Sequence, residues 1–269
     1  MTGNRPVYAR AKRLPCGAAV LLCALLLVAA QAARADDAIL EQPARLPRIA
    51  IIIDDLGYAL DAGARAVHLP GPVACAVLPQ TPRARQLSAL ARAYGKDVLL
   101  HLPLQASLPD THSEPGGIVL DMTRGELSRA FAASLDAVPG AIGVSNHRGS
   151  LLTRHPGLMG WLMEEISARG DLFFVDSYTT AKSVALEVAE ESGVQAVRRD
   201  VFLDNDRRPQ SLAAEFARLK RLAKRRGAAV AIGHPYPETL AFLEQVLPGL
   251  AQDGFELVSI SDMVRQRAH

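Results

Sequence analysis

The sequence predicts an α/β protein built on a parallel sheet, and three observations support this fold class. Short apolar runs alternate about seven times with helical patterns, as in strands joined by crossover helices. The first run, residues 49–53, is continuously apolar and rich in isoleucine, which is typical of a strand buried on both faces. Hydrophobic residues make up 49% and charged residues 22% of the chain, which predicts a packed core. This pattern is compatible with a closed barrel and with an open, doubly wound sheet.

Each predicted element follows from a local pattern. The strands are predicted at residues 49–53, 73–78, 97–102, 141–145, 172–175, within 194–203 and at 228–232, with a candidate eighth at 256–260. The helices are predicted at residues 81–94, after Thr123, at 156–169, around 212–222 and at 237–247. Thr123 and Glu126 have the spacing of a capping box, and Gly170 is a stop signal. The first strand leads into Asp54-Asp55-Leu56-Gly57 instead of a G-x-G-x-x-G loop, which argues against a dinucleotide site.

The N-terminus has the three parts of a secretory signal peptide. Four basic residues within residues 5–13 precede an apolar segment at 18–30, and Ala33-Arg34-Ala35 supplies small residues for cleavage. The apolar segment is shorter than the ~20 residues that span a bilayer. We therefore expect a signal peptide at 1–35, a Pro-containing linker at 36–47 and a single domain at 48–269. The mature protein would be periplasmic or secreted, with no membrane span after cleavage.

Charge and cysteine content exclude two other classes of protein. The formal net charge is +2, and no basic stripe of the kind that binds nucleic acid is present. Cleavage of the signal peptide would leave Cys75 as the single cysteine, so no internal disulfide can form. Cys75 lies in an apolar run, which favours a buried and inert thiol.

Polar side chains follow six of the seven predicted strands at their carboxyl ends. They are Asp54 and Asp55, His101, Asn146 and His147, Asp176 and Ser177, Asp204, and His234. Singly, an Asp or Asn after a strand is as well explained by a loop cap. Together they indicate an active site, because the carboxyl ends of parallel strands share one rim.

The residue types in this set indicate metal chemistry. Imidazoles combined with a carboxylate suit a borderline metal such as zinc and leave a coordination position for water. No G-x-S-x-G elbow is present, which argues against a serine hydrolase. The residues alone therefore favour a metal-assisted hydrolase or lyase. Tyr178 and Tyr236 each follow a strand-end polar residue by two positions, and either a sugar site or an ordinary rim aromatic explains them.

Six motifs resemble the divergent polysaccharide deacetylases, the YibQ-like group, over residues 48–261. They are Ile51-Ile52-Ile53-Asp54-Asp55-Leu56-Gly57-Tyr58, Leu100-His101-Leu102-Pro103, Asn146-His147-Arg148-Gly149-Ser150, Val175-Asp176-Ser177, Val201-Phe202-Leu203-Asp204 and Ile232-Gly233-His234-Pro235. The resemblance implies a distorted (β/α) barrel with about seven parallel strands. It also implies hydrolysis of acetyl groups on carbohydrate.

The same resemblance implies roles for individual residues. Asp54 corresponds to a general base and Asp55 to a metal ligand, while His234 corresponds to the histidine that protonates the leaving group. His101 matches the first histidine of the classical pair, but Gln105 stands at the second position, so His147 is the substitute ligand. Asn146, Asp176 and Asp204, with Tyr178 and Tyr236, would support these groups or bind substrate.

Two functions follow as hypotheses. The first is a metal-dependent hydrolase, with zinc as the expected ion, that removes acetyl groups from an envelope polysaccharide. It would act on C–N amide bonds and on esters, and its partner would be a polysaccharide or oligosaccharide rather than nucleic acid. The alternative is a periplasmic carbohydrate-binding or regulatory protein on the same scaffold, whose catalytic power has decayed. The departure at Gln105 is the feature that keeps this alternative open.

Overall fold

The computed structural model describes residues 45–107 and 114–267, together with Met1 and Gly3. The predicted signal peptide at 1–35 lies outside this described region apart from Met1 and Gly3, as does residue range 36–44 of the predicted linker. The chain divides into two units, Met1–Arg45 and Leu46–His269, and the second contains the fold given below. None of the helices in the described part combines the length and the hydropathy that a bilayer span requires.

Nine strands in the described residues form one sheet in which every pairing is parallel. They are β1 (Arg48–Leu56), β2 (Ala74–Val77), β3 (Val98–Leu104), β4 (Gly143–Arg148), β5 (Phe173–Asp176), β6 (Ala196–Arg198), β7 (Val201–Phe202), β8 (Ala228–Gly233) and β9 (Glu256–Leu257). Their order is β6-β5-β4-β3-β2-β1-β8-β7, and β9 pairs with β1 outside this order. Sequential strands are neighbours through most of the sheet, as expected of βα units.

The two ends of the sheet belong to one stretch of chain, so the sheet curves into a distorted barrel. The predicted sixth strand, 194–203, is in fact split into β6, which pairs with β5, and β7, which pairs with β8. The split lies at Arg199 and Asp200. The Arg199 N–H donates to Asp176 on one side, whereas the Asp200 N–H donates to Val230 on the other. At this point the two edges of the sheet are joined by the polypeptide chain itself rather than by a ladder of hydrogen bonds. The distorted barrel expected from the family resemblance is therefore confirmed.

Eight helices in the described residues cover or close this sheet. They are α1 (Leu60–Val67), α2 (Ala84–Ala93), α3 (Arg124–Ala137), α4 (Pro156–Ser167), α5 (Ala185–Glu191), α6 (Pro209–Arg226), α7 (Pro237–Val246) and α8 (Ile260–Arg267). The predicted capping box is present at the start of α3: the Thr123 side chain accepts the Glu126 N–H, and the Glu126 side chain accepts the Thr123 N–H. Sequence analysis left out α1, α5 and α8, which are all short and carry few end signals. The candidate eighth strand at 256–260 is shortened to two residues because α8 begins at Ile260.

Two apolar clusters lie on opposite faces of the strands. Alternate residues of β1 separate between them: Ile49, Ile51 and Ile53 pack in the larger cluster under the helices, whereas Ala50 and Ile52 pack in a smaller one. The smaller cluster is the barrel interior, and it brings Val197 of β6 together with Val230 and Ile232 of β8 and with side chains of α8. Since both faces are buried, the strands are continuously apolar rather than alternating. The same alternation decides which strand-end residues point into the barrel.

Candidate metal centre at the carboxyl end of the barrel

The inward face of each strand delivers the polar groups of the site. Leu99 on β3 lies in the barrel interior, so His101, two residues later, faces inward as well. Val230 and Ile232 on β8 predict the same direction for His234. The hydrophobic interior thus gives way to ionisable side chains as each strand approaches the carboxyl end. This transition forms the floor of the candidate site.

Asp55 breaks the alternation of β1 and reaches the same centre as its neighbour Asp54. Its backbone has a φ of 58°, in the left-handed region that residues other than glycine seldom adopt. The pairing of β1 with β2 shifts register between Ile53 and Leu56, which is the mark of a bulge. A regular strand would direct consecutive side chains to opposite faces. The bulge instead allows both aspartates to contact His101.

Three predicted ligands converge on one point. Their donor atoms, from Asp55, His101 and His147, lie within 4.8 Å of one another. Oδ1 of Asp55 is 3.2 Å from Nε2 of His101 and 2.9 Å from Nδ1 of His147. That oxygen is buried and has no partner with hydrogen-bond geometry. Donor atoms that face each other closely without hydrogen-bonding fit a shared cation, and two imidazoles with one carboxylate suit zinc.

The opposite ring nitrogen of each histidine has its own partner. Nδ1 of His101 lies 2.8 Å from the hydroxyl of Ser145, and Nε2 of His147 lies 3.2 Å from the Glu114 carboxylate. If each of these nitrogens carries the ring proton, the remaining nitrogen presents a lone pair to Asp55. A hydrogen bond on the far nitrogen is the usual way in which proteins fix the tautomer of a ligating histidine. Ser145 and Glu114 therefore orient the two imidazoles toward the centre.

The electrostatics of the centre keep Asp55 ionised. Burial by itself raises the pKa of Asp55, but His101 and His147 outweigh burial and hold the net pKa below the ordinary range of a carboxyl group. Burial lowers the pKa of His147, whereas Asp55 and Glu114 raise it, and the net pKa lies above the usual value of histidine. Metals bind the neutral ring, so a cation that binds here competes with protonation of His147.

Asp54 lies beside the centre and is nearly inaccessible, with 3% of its surface exposed. One carboxylate oxygen, Oδ2, is 3.5 Å from Nε2 of His101, while Oδ1 is buried without a hydrogen-bond partner. Burial raises the pKa of Asp54, although His101 and His234 oppose that shift. Asp54 therefore has a carboxylate oxygen that is not committed to another protein group.

His234 is held from behind by Asp204. Nδ1 of His234 is 2.9 Å from Oδ1 of Asp204, and Oδ2 of Asp204 accepts the His234 N–H and the Thr239 hydroxyl. Nε2 consequently points toward the centre and lies 3.7 Å from Oδ2 of Asp55. Burial lowers the pKa of His234, but Asp204 first, then Asp54 and Asp55, raise it, and the net pKa is above the usual value. The prediction that Asp204 orients a histidine agrees with this geometry.

Asn146 and Asp176 point away from the centre and fasten the loops behind it. Asn146 accepts the N–H of Ser177 and donates to the carbonyl of Arg148. Asp176 is fully buried, where it accepts the Tyr178 N–H and the Ser183 hydroxyl. Within the described part of the chain, none of its hydrogen-bond donors is a histidine. Their strand positions have the opposite parity to the inward residues. Of the roles predicted for them, the supporting role agrees with this placement.

The two predicted aromatic residues differ in their surroundings. Tyr178 is half-buried in the left-handed conformation with a φ of 50°, and the Arg198 guanidinium stacks on its ring. Tyr236 is more exposed, and its ring centroid lies 5.6 Å from that of His234. Tyr236 is therefore the one with direct contact to a residue of the site.

Gln105 occupies the position of the second classical histidine but does not join the centre. β3 ends at Leu104, and the Gln105 side-chain carbonyl accepts the N–H of Leu120. Its backbone bonds to Ile118 and to Leu151 and Leu152. Gln105 thus ties the end of β3 to two loops, and His147 on β4 fills the place beside Asp55 and His101.

Three further residues contact the site and were not predicted from the sequence. Ser145 could have been found, because it precedes His147 by two positions on the same face of β4. Thr239 and Glu114 had no signal: the first lies one turn into α7, and the second lies in a loop 33 residues before the histidine that it contacts. Contacts of this kind depend on the closed shape of the barrel.

The comparisons with known proteins agree with this architecture. A family model described as divergent polysaccharide deacetylase matches residues 51–264. An uncharacterized protein of Haemophilus influenzae is 36% identical over 218 residues, which cover 81% of this chain and 77% of the relative. YibQ of Escherichia coli is 34% identical over 227 residues, covering 84% and 70% respectively.

A solved structure has the same fold. An uncharacterized protein of Agrobacterium tumefaciens superposes with a TM-score of 0.78 at 24% identity, covering 83% of this chain and 91% of that one. The family model spans most of the chain, including each of Asp54, Asp55, His101, His147 and His234. The chain therefore belongs to the divergent polysaccharide deacetylase family.

Proposed function

We propose that this protein is a metal-dependent hydrolase that removes acetyl groups from an envelope polysaccharide, at C–N amide bonds and at esters. One observation carries the proposal: donor atoms of Asp55, His101 and His147 converge within 4.8 Å, with Asp54 3.5 Å from His101 and His234 3.7 Å from Asp55. Membership of the family supports a carbohydrate substrate and deacetylation as the reaction class. The specific substrate and the activity itself belong to the proposal.

The first part of the proposal concerns the ion, for which we favour Zn²⁺. Asp55, His101 and His147 would hold it, with Ser145 and Glu114 fixing the orientation of the two imidazoles. Such an ion supplies a Lewis acid that polarises the acyl oxygen and makes water nucleophilic near neutral pH. Three protein ligands leave a position open, which is the arrangement of catalytic rather than structural zinc sites.

Asp54 is the proposed general base. Its Oδ1 has no hydrogen-bond partner in the protein and lies in a buried position next to the ligands. In the proposed step, a water that enters the site with the substrate donates to this carboxylate and transfers its proton to it as the water oxygen bonds to the acyl carbon. Asp54 needs no contact with the ion for this role. A positioned base of this kind contributes typically ~10²–10⁴-fold to the rate.

His234 is the proposed general acid. Asp204 holds Nδ1, which leaves Nε2 of the imidazolium as the proton donor toward the substrate. When the C–N bond breaks, the amine nitrogen takes this proton and leaves as a neutral amine. An aryl ester has a leaving group that needs no such proton, so the two substrate types separate the role of His234 from the rest of the machinery.

Metal analysis tests the centre directly. Purified wild type should bind about one equivalent of Zn²⁺, and His101→Ala should bind much less, since the three ligands act as one site. His68→Ala is the matched control, because His68 is an exposed histidine whose ring nitrogen contacts the carbonyl of Ala64. Equal zinc content in wild type and His101→Ala would remove His101 from the site.

Acetate release tests the reaction. Wild type loaded with zinc should release acetate from acetylated glycans, and a chelator should abolish the release until the ion is restored. If the zinc-loaded protein binds a glycan but releases no acetate from any acetylated glycan, the alternative of a carbohydrate-binding protein on this scaffold becomes the better account. Gln105, placed outside the centre, is the feature that favours that alternative.

Export to the periplasm is a separate proposal, based on the N-terminal sequence alone. Cleavage after Ala35 should give a mature chain that begins at Asp36. N-terminal sequencing of protein from the periplasmic fraction checks this. A membrane-bound chain that still begins with Met1 would contradict it.

A further inference from the structure

Two exposed tyrosines flank one cleft beside the candidate metal centre. The cleft has a volume of about 270 Å³, and Asp55, Tyr58, His234 and Tyr236 are among the residues that line it. Tyr58 is 61% exposed and Tyr236 is 38% exposed. Few large apolar side chains are as exposed among the described residues, so two of them at one cleft mark a binding surface.

Both tyrosines are fixed by the backbone that carries them. Tyr58 follows Gly57, whose φ of 134° and contact with Thr81 exclude a side chain, since a Cβ there would lie 2.0 Å from the Thr81 hydroxyl. The carbonyl of Gly57 accepts the Arg83 N–H, which holds the turn against the next loop. Tyr236 caps the start of α7 and is followed by Pro237. The rings are therefore presented by rigid turns.

The two rings differ in how they are packed. The Arg207 guanidinium lies 4.7 Å from the Tyr236 ring centroid, and the His234 ring also packs near Tyr236. The Tyr236 ring is therefore held in place by neighbouring side chains. Within residues 45–107 and 114–267, Tyr58 has no aromatic or cationic partner. Its ring is the open face of the cleft.

The chemistry of the cleft matches a sugar ring. Its lining is mainly apolar, with short side chains such as Ala59 and Ala62 between the tyrosines. A tyrosine offers an apolar face and one hydroxyl, which suits the C–H face and the hydroxyls of a pyranose. The volume is near the lower end for small-molecule sites, about 300 Å³, so it suits one ring rather than a run of several.

We propose that the cleft between Tyr58 and Tyr236 is a subsite for one neutral, N-acetylated pyranose ring of the glycan. The ring packs on Tyr58, and its acetamido group lies toward Asp55 and His234, which also line the cleft. The proposal rests on the proposed function, because it takes the metal centre as the place where the acetyl group is removed. It adds which surface recognises the sugar and which residues select it.

The test measures sugar binding without turnover. Zinc-loaded Asp54→Asn protein is titrated calorimetrically with a trimer of N-acetylglucosamine, and Tyr58→Ala and Tyr236→Ala are each added to this background. Each should weaken binding by about tenfold, the usual cost of removing an aromatic anchor. Tyr58→Phe should weaken binding less than Tyr58→Ala does, since it keeps the ring and loses only the hydroxyl.

Tyr94→Ala is the matched control. Tyr94 is also an exposed tyrosine, at 53%, but it follows α2 and packs against His68. It should leave binding of the trimer unchanged. Zinc content and thermal unfolding should be the same in all variants, which verifies that each is folded.

The outcomes separate this proposal from the proposed function. Loss of trimer binding in Tyr58→Ala, with binding kept in Tyr94→Ala, supports the subsite even if wild type releases no acetate. Binding of the trimer by Tyr58→Ala and Tyr236→Ala at the parent affinity overturns the subsite, whatever the activity of wild type. Absence of any trimer binding by the parent protein overturns it as well.

Discussion

Replacement of Glu114 tests whether the carboxylate behind His147 prepares the centre for its ion. Both Glu114 oxygens lie 3.2 Å from Nε2 of His147, and the Glu114 side chain is 24% exposed, so its charge is only partly screened by water. Removal of such an outer partner typically costs ~10–100-fold in metal affinity. This range corresponds to about 1.4–2.7 kcal/mol of binding free energy.

Two substitutions of Glu114 should give zinc affinities at the two ends of that range. Glu114→Gln keeps an oxygen that accepts the Nε2 proton but loses the charge, so zinc affinity should fall by about tenfold. Glu114→Ala loses both and leaves the ring free to rotate, so the fall should approach 100-fold. The affinity is measured by competition with a chromogenic zinc chelator at constant pH and ionic strength.

Glu244→Gln is the matched control for this series. Glu244 also lies in an ion pair, with Arg65 on the surface, but it contacts no residue of the centre. It should leave zinc affinity unchanged. If Glu114→Ala binds zinc as tightly as wild type does, the carboxylate has no part in orienting His147 and the tautomer assignment is wrong.

Four further expectations concern other residues. Asp54→Asn should keep its zinc but lose amide hydrolysis by ~10²–10⁴-fold; loss of zinc would make Asp54 a ligand. His234→Ala should also keep zinc and should slow amide hydrolysis more than aryl ester hydrolysis, and an equal loss on both substrates would contradict its role as the acid. Asp176→Asn should lower the free energy of unfolding by about 1–3 kcal/mol, because buried hydrogen bonds to Ser183 and the backbone are weakened, with zinc affinity unchanged. Burial raises the pKa of the Cys75 thiol to about 12, so a thiol reagent at pH 8 should label Cys75 only after unfolding, as peptide mapping can show.

The fold could be predicted from sequence because burial on both faces leaves a strong local signal. The continuous apolar runs of β1 and β8 placed the strands, and the capping box placed the start of α3. The ring closure could not be predicted in this way. It depends on Arg199 and Asp200, two adjacent residues whose N–H groups donate to opposite ends of the sheet, and no local pattern distinguishes them from the interior of a single strand.

The candidate site divides along similar lines. The position of Asp55, His101 and His147 at strand ends correctly predicted that they lie on one rim. Strand-end position alone, however, does not distinguish metal ligands from other polar residues at the same rim. Parity along the strand separates Asp176 from His101 and His147, because Asp176 has the outward parity of Phe174 and fastens a loop instead. Parity fails for Asp55, which reaches the centre through the bulge in β1. Glu114 comes from a distant loop, where only the three-dimensional path of the chain brings it to His147.

The left-handed backbone at Asp55 has a consequence for how this sequence can change over time. For most side chains that conformation costs about 1–2 kcal/mol relative to glycine, and for aspartate less, so Asp55→Gly should relieve a small strain in the turn. The change that relaxes the backbone at this position therefore also removes the carboxylate proposed as a metal ligand, so stability of the turn and metal binding make opposite demands on position 55.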